Sequence, residues 1–184
     1  MKTLFIYLVL VIWAGVSQAQ EITELKEAKV GFAPLSSEVI RDGNQFSFIV
    51  KESYAGDFEA NPLAFMEANF DIHNFITVLK GEKFDSFQVT FSSKKGHLLA
   101  DFDKHGNLGT TSERFKNIFL PASLREQLYK DHKGWEMVKN VRVTRGENGK
   151  VDKEFYRITL RNGDERKTLK IDGITAERSE VASN

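Results

Sequence analysis

Apolar residues recur at every second position in three separate stretches of this chain. Phe46, Phe48 and Val50 alternate with polar neighbours, as do Phe87, Val89 and Phe91, and again Leu98, Ala100 and Phe102. A period of two puts the apolar side chains of a strand on one face. Strands of this kind build a sheet that is wet on one side and covered on the other, the habit of antiparallel sheets. The chain has no cysteine and fifteen Phe residues against two Trp and four Tyr. Its covered face must therefore supply the stability that disulfides give many small domains.

What covers that face is legible in the intervening segments. Asp57 to Asn69 changes to helical spacing, with Phe58, Pro62, Phe65, Met66 and Phe70 on or near one side. Asn61 before Pro62 reads as an N-cap followed by proline at the first helical position. Strands are predicted at Lys29–Leu35 and Gln45–Glu52 about a turn at Arg41 to Asn44, then at Phe75–Lys80, Phe84–Ser92 and His97–Asp103. Ser93 to Gly96 suits a tight hairpin between the last two. Leu120-Pro121 opens a second helix with Leu124 and Leu128 four residues apart, ending near Gly134. Three more strands follow: Trp135–Arg145, with Trp135, Met137, Val141 and Val143 expected on one face, then Glu154–Arg161, then Thr168–Asp172. Their turns lie at Arg145 to Gly149 and at Asn162-Gly163.

The expected architecture is α+β: tandem αβββ repeats over 57–108 and 119–175, an antiparallel sheet with helices on one face, and an N-terminal β-hairpin within 20–56. Residues 20–175 would form one globular domain, and 176–184 a polar tail. Ahead of it, Met1 to Ala19 has the parts of a secretory signal: Lys2, an uncharged apolar run from Leu4 to Ala14, and small residues Ser17 and Ala19 before a cleavage point. The run is shorter than the roughly 20 residues needed to span a bilayer as a helix. Cleavage after Ala19 would remove 19 of the 184 residues and leave 165, released to the periplasm or exterior. A chain of that length buries about 70% of its unfolded surface without staples.

Charge is balanced at 26 basic and 26 acidic residues, so overall charge gives no long-range pull on polyanions, and nucleic acid is not an expected partner. No basic amphipathic helix points to a membrane surface, and no stable membrane insertion is expected after cleavage. His73, His97, His105 and His132 stand apart, with no zinc-ligand spacing among them. Asp101-x-Asp103-x-His105-Gly106 resembles the start of a calcium loop, but position 12 is Ser112 rather than Glu, and a turn explains the spacing better. Ser92-Ser93-Lys94-Lys95 matches a Ser-x-x-Lys nucleophile motif, yet falls at a hairpin tip rather than on a helix. No catalytic residue, cofactor or metal ligand is assigned. Aromatic residues are the better lead: Phe84, Phe115, Phe119, Trp135 and Tyr156 exceed what the inward strand faces need and are candidate protein-contact anchors.

From about Asn61 to Thr175 the sequence resembles the PepSY-like, β-lactamase-inhibitor-protein-like family of exported bacterial proteins. The resemblance is carried by Leu120-Pro121-Ala122-Ser123-Leu124, Leu128-Tyr129, the Trp135-to-Val143 strand, Phe155 to Leu160 with Asn162-Gly163, Lys170-Ile171-Asp172, and Leu99 to Leu108. It implies a two-repeat fold with a surface free for contacts, and action by protein–protein binding, as in an inhibitor of an envelope enzyme or protease. The alternative is a periplasmic carrier whose Phe-rich strands curl around an apolar small molecule or lipid.

Overall fold

The computed structural model describes residues 21–24, 33–79 and 84–173. The predicted signal segment, the polar tail and most of the strand expected at Lys29–Leu35 lie outside them. The fold is a mixed α/β arrangement built on one large, mostly antiparallel sheet. Its strands are β1 (Glu21–Glu24), β2 (Leu35–Asp42), β3 (Gln45–Val50), β4 (Ser86–Ser92), β5 (Gly96–Asp103), β6 (Leu108–Lys116), β7 (Glu136–Glu147), β8 (Lys150–Asn162) and β9 (Glu165–Asp172). They neighbour one another in sequence order from β1 to β9.

Four α-helices accompany the sheet among the described residues: α1 (Ala55–Ala60), α2 (Pro62–Asn69), α3 (Ile72–Val78) and α4 (Ala122–Asp131). A 3₁₀ turn at Glu52–Tyr54 leads into the first three. Asn61 and Asp71 cap α2 and α3, each side chain accepting from a backbone N–H three residues on. This helical block carries the chain from β3 to β4, which pair in parallel while every other neighbouring pair is antiparallel. Parallel pairing of consecutive strands requires such a crossover.

Three expectations are corrected here. Phe75–Lys80 is not a strand: residues 72–78 form α3, because Asp71 supplies a cap and Ile72 and Phe75 repeat at helical spacing on the buried side. Leu108–Lys116, which the sequence reading passed over, is β6, and it alternates buried Thr111, Glu113 and Phe115 with outward residues. A strand with Glu and Thr at inward positions carries little periodic apolar signal. In β7 the inward set is not Val141 and Val143. An irregularity between Met137 and Lys139 shifts the pairing, so that Asn140, Arg142 and Thr144 face the helices and Lys139, Val141, Val143 and Arg145 face away. A β-bulge has this effect, since one extra residue exchanges the two faces of a strand.

The core lies between the helices and the inner sheet face, and it is made of rings. Phe75 meets Phe46 edge-on at 4.9 Å, Phe70 meets Phe91 at 5.1 Å, and Phe58 meets Phe115 at 5.4 Å. Phe48 stacks on Phe91 at 5.7 Å with 15° between the planes. Offset and edge-to-face contacts add about 0.5–1.5 kcal/mol per pair beyond burial. These rings fill the space over β3 to β6. Leu120, Leu124, Leu128, Ile158 and Leu160 belong to the same buried cluster and bring α4 onto the other end of that face.

Candidate protein-contact surface

Beyond β6 the chain must reach α4, and it does so through a tightly fixed loop. Asn117 takes φ 52°, a left-handed conformation that Asn accepts more readily than bulkier residues. The buried Asn140 side chain then holds the next residue at both ends. Its Oδ1 accepts from the Ile118 N–H at 3.1 Å, and its Nδ2 donates to the Ile118 carbonyl at 3.0 Å. The Asn117 N–H donates to the Asn140 carbonyl at 2.9 Å. Ile118 and Leu120 enter the core, so Phe119 between them is turned out and is 81% exposed.

Phe119 is displayed rather than merely left outside. The Arg125 guanidinium, on the first turns of α4, lies over its ring at 4.4 Å. Tyr129 follows Arg125 by four residues, hence on the same helix face, and is also 81% exposed. Met137 and Val138 at the start of β7 are exposed as well, and Met137 Sδ lies 3.8 Å from the Asn140 amide nitrogen that fixes the loop. Arg125 thus covers Phe119, Tyr129 shares the helix face of Arg125, and Met137, followed by exposed Val138, reaches the amide that fixes the loop. Leaving a large apolar side chain in water forgoes about 1.5–3 kcal/mol of burial.

The five anchors proposed from sequence fall in different places. Phe119 is on this surface. Trp135, half-buried against the core, is close to it in sequence, just before β7, and carries the Lys167 ammonium over its ring at 4.0 Å. Phe84 flanks the core at the far end, packed on Phe87 and Phe46 with Arg41 above it. Phe115, with no exposed surface, and Tyr156, 3% exposed, lie in the core, and neither offers a surface to a partner. Met137 reads in sequence as part of the apolar face of its strand, and Tyr129 carries no signal in sequence that marks it as exposed.

A second polar cluster lies inside, where β6 and β7 turn charged residues toward α1 and α2. Arg142 donates to the Glu59 carbonyl at 3.1 Å and to the Ala60 carbonyl at 3.4 Å, so it closes the C-terminal end of α1. Its guanidinium is 3.5 Å from the Glu113 carboxylate. Burial pushes the Glu113 pKa up, opposed by the charge of Arg142. An open cleft of about 510 Å³ runs past these groups and Glu154, whose carboxylate accepts from the Tyr156 hydroxyl at 3.1 Å. Arg142 is engaged with the helix end and with Glu113, so the geometry reads as a brace between layers.

Other sequence motifs resolve as turns. Asp103 accepts from the His105 and Asn107 N–H groups and from the Asn107 side chain. The Asn107 side-chain bond is the main reason that the Asp103 carboxyl is held below its ordinary pKa. Ser93 and Lys94 sit between β4 and β5, where the Ser93 N–H donates to the Gly96 carbonyl. No group of three or more His, Asp or Glu side chains is placed to hold a metal among the described residues. No helix among them is long and apolar enough to cross a membrane. No family model matches the chain, and neither the curated proteins nor the solved structures include a significant match.

Proposed function

We propose that this chain is an exported, non-enzymatic protein-binding module that grips its partner through Phe119, Tyr129, Met137 and Val138, with Trp135 at the margin. One observation carries the reading: Phe119 is held outward by a loop whose own backbone is locked by Asn140, so the exposed ring is preorganised. Interface energy concentrates in a few aromatic and arginine side chains, and a fixed ring loses little freedom on binding. Arg125 over Phe119 supplies the polar part of such an anchor.

The class of partner follows from the family resemblance: an envelope or secreted enzyme, restrained by occupation of its surface. The order of elements favours that resemblance, since helices followed by three antiparallel strands occur twice, before β4–β6 and before β7–β9. On this reading the halves are duplicated αβββ units, and β1–β3 are an addition to them. The carrier alternative gains nothing from the phenylalanines, which pack on one another across β3–β6.

The test is a comparison of capture by the wild-type protein and by a Phe119→Ala/Tyr129→Ala variant from an envelope extract. A single enzyme retained by the wild type, lost with the variant and inhibited by the pure wild-type protein is the expected result. Equal retention by the two would remove this surface from consideration.

A further inference from the structure

Charge in this molecule is balanced in total but not in space. From residue 52 to residue 79, the helical block holds five carboxylates (Glu52, Asp57, Glu59, Glu67 and Asp71) and no Lys or Arg. Glu52 and Glu59 are paired to Lys94 and Lys95, while α4 is mixed, with Arg125 and Lys130 beside Glu126 and Asp131. The opposite, outward face of β6–β9 is the reverse. Register places Lys116, Val141, Arg157 and Lys170 in one row across four strands, and Arg145 beside Lys153 in another. Arg114 and Lys139 lie on the same face, and all these cations are solvent-exposed. Carboxylates on that face are few: Glu136, already paired with Arg161 at 3.0 Å, Glu147 and Asp172. Lys116, Arg157, Arg145, Lys170, Arg114 and Lys139 form no ion pair with a described carboxylate.

We infer that this sheet face docks on an anionic phospholipid surface, with the helices turned away from it. The shape of the array selects the partner. Strands about 4.8 Å apart, with same-face residues about 6.7 Å apart along each, spread the cations over two dimensions. A linear polyanion is matched by a stripe or groove with exposed rings for its bases to stack on. Here the ring of this face, Phe155, is half-buried and has the Lys170 ammonium over it at 4.6 Å. An open hollow of about 370 Å³ lined by Arg114, Lys116, Lys139 and Val141 lies at one edge of the array. Arg145, Lys153, Arg157 and Lys170 carry the array on across β7–β9, and a plane of phosphates meets such a spread of cations without needing a groove. Arginine adds bidentate hydrogen bonding to phosphate oxygens. The excess of cations on this face orients the molecule before contact. The inference rests on the outward face of β6–β9 and does not depend on the surface around Phe119.

The experiment is co-sedimentation of the full chain with vesicles of phosphatidylcholine alone and of phosphatidylcholine with 30% phosphatidylglycerol (a composition of about one charge in three lipids). The apolar segment Leu4–Ala14 would carry the chain to both, so the readout is the ratio of the two partition coefficients. A ratio well above one that falls on raising the salt is expected. The Lys116→Glu/Arg157→Glu/Lys170→Glu variant, its fold checked by a thermal transition like the wild type's, should lower that ratio by on the order of a hundredfold, from about one kcal/mol per membrane-facing cation. If it does not fold, Arg145→Gln/Lys170→Gln gives a smaller loss of the same sign. Equal partitioning into the two vesicles, or an unchanged ratio in a folded variant, would overturn the inference. Tighter binding to a single-stranded oligonucleotide than to the anionic vesicles would overturn it too.

Discussion

Replacing Asn140 by Ala should destabilise the protein by about 2–4 kcal/mol, although it removes only a small polar side chain. The side chain satisfies both the N–H and the carbonyl of Ile118, which is itself buried. Removing it strands two backbone groups, each at a cost of about 1–3 kcal/mol. A water entering the vacated space would recover part of this, which sets the lower end. For a chain of this size each kcal/mol shifts Tm by roughly 2–4 °C, so a drop of about 5–15 °C is expected. Urea unfolding monitored by Trp fluorescence, with the slope unchanged, measures the difference directly. Asn140→Asp makes a sharper comparison: its carboxylate can still accept from Ile118 N–H but faces the Ile118 carbonyl without a donor, so it should lose more. A loss below about 1 kcal/mol for the alanine variant would show that the loop is not held as argued. The rationale for a preorganised Phe119 would then fall with it.

Phe119→Ala should change stability by less than about 0.5 kcal/mol, because the ring is already in water, while partner capture is lost; a large stability loss by urea unfolding would place the ring inside. Gly96→Ala should cost about 1–3 kcal/mol in the same assay, since an added Cβ would overlap the Arg114 carbonyl and lie 2.7 Å from Phe115 Cα. Glu113 has a folded pKa raised by burial, so the native state binds its proton more tightly than the unfolded state does. Its contribution is full below the ordinary carboxylate pKa and is lost as pH rises through the raised value. The Glu113→Gln variant should therefore show a flatter fall of urea midpoint with rising pH over that interval, and parallel profiles would exclude the assignment. Arg142→Met should cost about 3–5 kcal/mol by leaving Glu113 buried and alone, and adding Glu113→Leu should recover much of it.

Where local pattern and tertiary demand agree, the sequence was a reliable guide. β4 and β5 alternate Phe87, Val89, Phe91 and Leu98, Ala100, Phe102 without interruption, and those residues are buried. The Asn61-Pro62 cap marks the start of α2. Two of the three failures fall in β6 and β7, where the inner face changes from rings to Thr111, Glu113, Asn140, Arg142 and Thr144. No apolar period exists there to be read, and the valines that imitate one belong to the other face. The slip at Val138 cannot be seen in the residues themselves, because it is set by pairing with β8.

The same polar inner face explains why aromatic content alone does not tell buried rings from exposed ones. Phe115 and Tyr156 border the Glu113–Arg142 brace, where a ring is needed to close the core beside buried charge. Arg142 lies 5.5 Å from the Phe115 centroid, and Tyr156 donates to Glu154. Phe119 has no such task. It follows Ile118 and precedes Leu120, both buried, in a loop too short to hide a third large side chain. A ring that the fold leaves in water, yet fixes in place, differs from a ring at the edge of the core, and its exposure together with the hydrogen bonds of Asn140 separates the two cases. Total charge is silent in a parallel way: the 26 cations and 26 carboxylates cancel in a sum, while residues 52–79 carry no Lys or Arg and the outward face of β6–β9 carries rows of them. Both surfaces therefore arise from how residues are sorted across the sheet, and composition is blind to that sorting.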